Sequence, residues 1–298
     1  MKLLHQVQSE ILERLGRVNI AARQAVESAL AGQHRSIRRG LSVEFAGHRQ
    51  YIPGDDLRRL DWRVWSKTDR LAVRIYEEET HLQATLVVDC SGSMGYRRNK
   101  SIRTKLDYAR ILAAAIGFIM MLQNDAVGLV LMDTQIRVHR QPKARMGYLL
   151  QLLSLLEEVN EGGETSLADV LNQLAEQLNH RGLVILLSDC FDNVDRIKSA
   201  LQHLRHRKQD VRIFQIMDHE EYEFGFQGMY EFLGLECESA LKFDADRIRP
   251  YYQKIQKEHQ EKLLEACYTA GVQYSTFNTQ EDTAFALIRA IENVGERL

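Results

Sequence analysis

Apolar runs and amphipathic segments alternate along most of this chain. Leu82 to Val88 reads as a buried strand because Leu86, Val87 and Val88 run without interruption into Asp89 and a small polar loop. Residues 127–132, 183–187, 211–217 and 273–277 repeat that pattern. Between them, apolar positions at helical spacing predict helices over 106–123, 149–159, 167–178, 194–204 and 255–268, with a closing helix over 284–294. Residues 134–139 predict a short edge strand beside 127–132, and the less regular 224–243 a hairpin. Strands alternating with helices imply an α/β fold with a doubly wound, mostly parallel sheet flanked by helices, Rossmann-like in kind. Upstream, Leu4, Val7, Ile11, Leu15 and Ile20 outline one amphipathic packing helix within 1–32, and Leu71 to Tyr76 alternates as a strand. The division expected is an N-terminal helical and irregular extension over 1–80 packed on a main domain over 81–298.

Composition narrows the setting. A formal net charge of −2 gives no global reason to expect nucleic acid or a membrane surface. The cysteines Cys90, Cys190, Cys237 and Cys267 form no C-x-x-C pair, which favours reduced thiols over a disulfide framework or zinc ribbon. The longest apolar run, Ile111 to Leu122, is far short of the ~20 residues that a membrane span needs, and reads as a helix buried on all sides. With no signal-peptide core after Met1, a cytoplasmic location is expected.

One segment departs from the average. Residues 34–74 hold ten Lys/Arg against five Asp/Glu and both tryptophans, Trp62 and Trp65. A nucleic-acid face would use such a mixture for phosphate and stacking contacts. The plainer reading has the arginines pairing with Glu44, Asp55, Asp56 and Asp61 to brace an irregular segment, with the tryptophans as buried anchors.

The candidate chemistry lies at strand ends. Asp89, Ser91 and Ser93 occupy alternate positions of a tight loop and can converge as hard oxygen donors, the kind magnesium or manganese accepts. A capped turn before a helix is the bland alternative for the same residues. Asp189 ends the 183–187 strand, and Gly162-Gly163-Glu164-Thr165-Ser166 precedes a helix. In a sheet whose order reverses beside its first strand, Asp89 and Asp189 face each other across the crevice, and Thr165 adds a hydroxyl from a glycine-rich loop. Two carboxylates and three hydroxyls under-ligate a divalent cation and leave room for water or an outside oxygen.

That set, Asp89, Ser91, Ser93, Thr165 and Asp189, resembles the metal-ion-dependent adhesion site of von Willebrand factor A domains, and Val127 to Asp133 is similar to that family's second strand. Upstream, Arg38-Arg39-Gly40, Val43 to Ala46, Arg49-Gln50-Tyr51, Pro53-Gly54-Asp55 and Asp61-Trp62-Arg63 resemble a bacterial branch of A-like proteins often encoded beside MoxR-type AAA+ ATPases. The resemblance covers nearly the whole chain from about residue 32. It implies a metal-dependent protein-binding module, not an enzyme, that acts as a chaperone-like adaptor with a MoxR-type ATPase on a client complex. It further implies a divalent cation, Mg²⁺ foremost with Mn²⁺ or Ca²⁺ as alternatives, and an acidic ligand donated by a protein partner. Longer members of the branch carry membrane helices, a feature not carried over here.

Two enzyme readings compete. Ser91-Gly92-Ser93-Met94-Gly95 nearly matches the G-x-S-x-G elbow, and Ser93, Asp189 and His219 follow the order of a hydrolase triad. Against it, Ser91 stands where the first glycine belongs, the charged 96–105 stretch separates the serine from its helix, and Thr165 has no task. An aspartyl-phosphate phosphatase wants a second acid two places after the first, where Ser91 stands. Cys90 and Cys190, each following a site aspartate, could lie near one another on adjacent strands; ordinary buried thiols are the expectation.

Overall fold

The computed structural model describes residues 44–52, 60–68, 71–77, 82–97, 103–122, 124–232, 234, 241–281, 285–286 and 289. The helix expected within 1–32 and most of the closing helix over 284–294 lie outside those residues.

The main sheet has six strands: β3 (Gln83–Asp89), β4 (Ala126–Met132), β5 (Ile136–Lys143), β6 (Leu183–Ser188), β7 (Asp210–Met217) and β10 (Gln273–Asn278), in the spatial order β10-β7-β6-β3-β4-β5. All neighbours are parallel except β5, which returns antiparallel to β4 at one edge. The expected fold class, a doubly wound and mostly parallel sheet flanked by helices, is therefore the one found. The short edge strand predicted at 134–139 is longer than expected. Its Pro142 is accommodated because an edge strand need not donate from every N–H. Gly128 lies opposite its irregular register, where a Cβ would stand 2.5 Å from the Arg140 carbonyl oxygen.

Alternation along each strand builds two cores. On one face Leu86, Val88, Leu129, Leu131, Ile185 and Leu187 pack beneath α2 (Lys105–Leu122) and α3 (Met146–Glu158). On the other, Val87, Val130, Met132, Val184 and Leu186 pack beneath α4 (Leu167–Gln177), α5 (Val194–His206) and α7 (Ala245–Ala270). Because successive strand side chains take opposite faces, Cys90 falls in the first core and Cys190 in the second. They do not form the neighbouring pair considered from sequence. Among the described residues no helix is long and apolar enough to cross a membrane.

Three departures from expectation have physical causes. The helix predicted from Ile255 begins at Ala245, with Asp244 as N-cap accepting from the Asp246 N–H at 3.1 Å, and it carries Pro250 inside its second turn. The 34–74 segment is less irregular than expected. It contains β1 (Glu44–Gln50), antiparallel to β2 (Ala72–Glu77), and the short α1 (Trp62–Thr68). The tryptophans are not anchors: Trp62 and Trp65 are 57% and 42% exposed and meet edge-to-face at 5.9 Å. Leu60, bridged to Val73, is buried there along with Asp61, Ala72 and Val73, while the helix that follows turns its aromatic side chains outward. The hairpin expected within 224–243 is present as β8 (Met229–Phe232) and β9 (Leu241–Asp244).

Candidate functional site

From β3 the chain winds to one side through β4 and β5, then returns to the other through β6, which pairs with β3 as Val88 opposite Leu187. Strand order reverses between those two, and in open α/β sheets the crevice at the carboxyl ends opens there. Asp89 is the last residue of β3 and Asp189 the first after β6; both are fully buried.

Local bonding fixes the first loop. The Ser91 N–H donates to Asp89 Oδ1 at 2.9 Å, and the Ser188 hydroxyl donates to Asp89 Oδ2 at 2.6 Å. Ser91 Oγ and Ser93 Oγ stand 3.1 Å apart. Ser91 occupies the cap position of a short 3-10 turn, Gly92–Gly95, yet its hydroxyl makes no cap bond. The side chain that accepts a backbone N–H of this turn is Asp89, not a serine hydroxyl.

The loop that carries Thr165 is tied to the first one. Gly162 N–H donates to the Cys90 carbonyl at 3.0 Å, and Gly92 N–H donates to the Gly163 carbonyl at 2.9 Å. Arg137 braces the same turn, donating to the Asn160 carbonyl at 2.8 Å, to the Gly162 carbonyl and to Asp133. Gly163 has φ +81°, a conformation that favours glycine, and a Cβ there would crowd Asp133 Oδ2 at 3.0 Å. Thr165 follows two residues later and is half-buried.

Behind Asp189 lies a group absent from the sequence reading. Lys105, the first residue of α2, is wholly buried and donates to Asp189 Oδ2 at 2.8 Å and to Glu221 Oε1 at 2.6 Å. The Phe191 and Tyr96 rings flank its ammonium at 5.2 and 6.0 Å. Burial alone would pull this lysine down, but the two carboxylates outweigh it and hold the ammonium above its ordinary range. Glu221 is pushed up by burial, with Lys105 opposing. Asp89 is raised from 3.8 to about 6, first by burial and then by the charge of Asp189, against the opposing bonds from Ser188 and Ser91. Burial pushes the Cys90 thiol up to about 12, which leaves it unreactive. Cys190 takes a left-handed backbone conformation at φ 60° immediately after Asp189. Its N–H donates to Ser188 Oγ at 2.9 Å, and its carbonyl lies 3.1 Å from His259 Nε2.

This arrangement fits a divalent cation. The partners of Asp89 named above, a hydroxyl and an amide, are neutral, and the Asp189 charge works against its ionisation. Cationic charge near both carboxylates would relieve that cost, and Ser91, Ser93 and Thr165 are hard donors of the right kind. The hydrolase arrangement gains no such support: Asp189 is engaged by Lys105, and His219 Nδ1 lies 3.4 Å from Asn278 Nδ2. Much of the basic 34–74 surface lies outside the described residues.

The residues that sequence reasoning missed are Ser188, Lys105 and Glu221. Glu221 had a local signal, since Asp218-His219-Glu220-Glu221 after an apolar strand has capping-box spacing and forms that box on α6 (His219–Glu223). Lys105 had only its place at the start of a helix that is mainly apolar from Ile111 onward.

Comparison with known proteins adds the family. A family model described as "Protein of unknown function DUF58" matches residues 47–262. An uncharacterised protein of Mycobacterium tuberculosis is 23% identical over 278 residues, spanning 92% of this chain and 86% of its own length, and one from Mycobacterium bovis matches equally. Among solved structures, the conserved hypothetical protein BatB of Bacteroides thetaiotaomicron aligns with TM-score 0.45 at 11% identity, covering 71% of this chain and 97% of that one. The VWA domain of SpRpn10 aligns with TM-score 0.42 at 13% identity, covering 73% and 98%.

Proposed function

We propose, from the premise that this chain belongs to the DUF58 family, that it is a non-catalytic, metal-dependent protein-binding module. The observation that carries this reading is the pair of buried carboxylates, Asp89 and Asp189, at the sheet's switch point, with Ser91 and Ser93 Oγ converging beside Asp89. Asp89, Ser91, Ser93, Thr165 and Asp189 would hold the cation, Mg²⁺ foremost and Mn²⁺ or Ca²⁺ as alternatives. When bound, such an ion supplies an electrophilic position at which another protein's carboxylate oxygen can coordinate. The chain's own residues shape that position. Ser188 and the Ser91 amide orient Asp89, Lys105 fixes Asp189, Arg137 holds the Thr165 loop against Asp133, and backbone bonds tie that loop to the first one.

The partner is a protein that presents an acidic residue. The upstream motif string, through its resemblance to A-like proteins encoded beside MoxR-type ATPases, supports an AAA+ ATPase as one partner and a chaperone-like adaptor role in assembling a client, in the cytoplasm. The test is capture from lysate by immobilised wild type and Asp89→Ala, each in Mg²⁺ or in chelator. The reading expects an AAA+ ATPase retained by wild type in Mg²⁺ and lost in the other three arms. A partner set indifferent to both metal and Asp89 overturns it.

A further inference from the structure

We propose that Lys105 is a positioning residue of this site: an internal ammonium that occupies Asp189 and releases that carboxylate to a divalent cation by remaining on Glu221. The inference rests on the metal-binding reading above and specifies how the site is tuned.

The geometry gives the ammonium two unlike partners. Asp189 belongs to the candidate cation site. Glu221 does not, and it is anchored independently, because its second oxygen accepts from the Asp218 N–H at 2.8 Å in the capping box of α6. The lysine side chain has no exposed surface, so it cannot swing into solvent when a second cation approaches Asp189. Both its bonds are charge-assisted, and the flanking Phe191 and Tyr96 rings favour its charged form. A divalent ion at Asp189 therefore meets a resident competitor whose way out is toward Glu221. Two cations a few ångströms apart repel strongly in a low-dielectric crevice, so the lysine weakens binding and keeps the ion exchangeable.

A specific consequence separates this from a diffuse charge effect. Glu221 influences the ion only by offering Lys105 an alternative, so its effect should exist only while the lysine is present. If instead each charge acted on the ion through space, the two substitutions would add.

The experiment measures Mn²⁺ affinity from the free-ion EPR signal for wild type, Lys105→Met, Glu221→Gln and the double variant, with Asp89→Ala as control. With the cation–cation repulsion removed, the expectation is about tenfold tighter binding for Lys105→Met, and about threefold or more weaker binding for Glu221→Gln. The double variant should match Lys105→Met within about twofold. Lys105→Met binding no tighter than wild type, or a Glu221→Gln loss of equal size in both backgrounds, overturns the proposal. Glu221→Gln keeps the Lys105–Asp189 pair. If Lys105→Met does not fold, unchanged affinity in Glu221→Gln alone overturns it. Wild-type binding that survives Asp89→Ala refutes the metal reading itself. Binding lost in Asp89→Ala but unmoved by the other variants refutes only the role of Lys105.

Discussion

Replacing Asp89 by asparagine should stabilise the metal-free protein at neutral pH and do nothing useful in acid. Burial, and after it the charge of Asp189, push this carboxyl up from 3.8 to about 6 in the folded chain. Its folded pKa is raised, so between pH 4 and 6 the folded state holds a proton that the unfolded state has lost. Stability then falls as pH rises through that window, and above it the cost is complete. A rise of about two pH units at roughly 1.4 kcal/mol each sets a ceiling of about 3 kcal/mol. Asparagine keeps an acceptor for the Ser91 amide. However, Ser188 Oγ, which already accepts from the Cys190 N–H, loses the carboxylate to which it donates, at a cost of about 1 kcal/mol. The net expectation at pH 7.5 in chelator is a gain of roughly 1–2 kcal/mol, or about 2–8 °C in Tm for a domain of this size. Thermal melts of both proteins from pH 4.5 to 8 in chelator measure it, and Mn²⁺ should reverse the order by stabilising only wild type. An asparagine variant no more stable at pH 7.5, or equally favoured at pH 4.5, would refute the reasoning.

Two further outcomes follow from the packing. Leu60→Ala should cost about 2–3 kcal/mol, since Leu60 is buried against β2, whereas Trp62→Ala on the exposed face of α1 should change stability by about 0.5 kcal/mol or less; urea denaturation compares them. Arg137→Ala should weaken Mn²⁺ binding about tenfold without removing a ligand, because the guanidinium ties Asp133 to the carbonyls of the turn preceding Thr165. A calorimetric titration with wild-type affinity would show that the brace is irrelevant to the site.

The strands were legible because their signals are local. The apolar runs ending at Asp89 and Ser188 sit where the sheet places β3 and β6, and alternating strands and helices implied the switch point that brings the two aspartates together. The start of α7 was not legible in the same way. Pro250 reads as a breaker, yet the helix is launched earlier by the Asp244 cap and runs through it. The tryptophans misled for a different reason: their size predicts burial on average, but a two-turn helix beside a two-stranded sheet has little core to offer. Lys105 was invisible because its partners lie 84 and 116 residues away, and only the fold brings a lone lysine at a helix start against two distant carboxylates.

The central claim is that Asp89 and the hydroxyls beside it hold a divalent cation. Calorimetric titration of Mn²⁺ into wild type and into Asp89→Ala, at pH 7.5 after treatment with chelator, tests it most directly. The account predicts one ion bound per chain by wild type, and no measurable binding by a variant that keeps its fold. Equal affinity in the two proteins would contradict it.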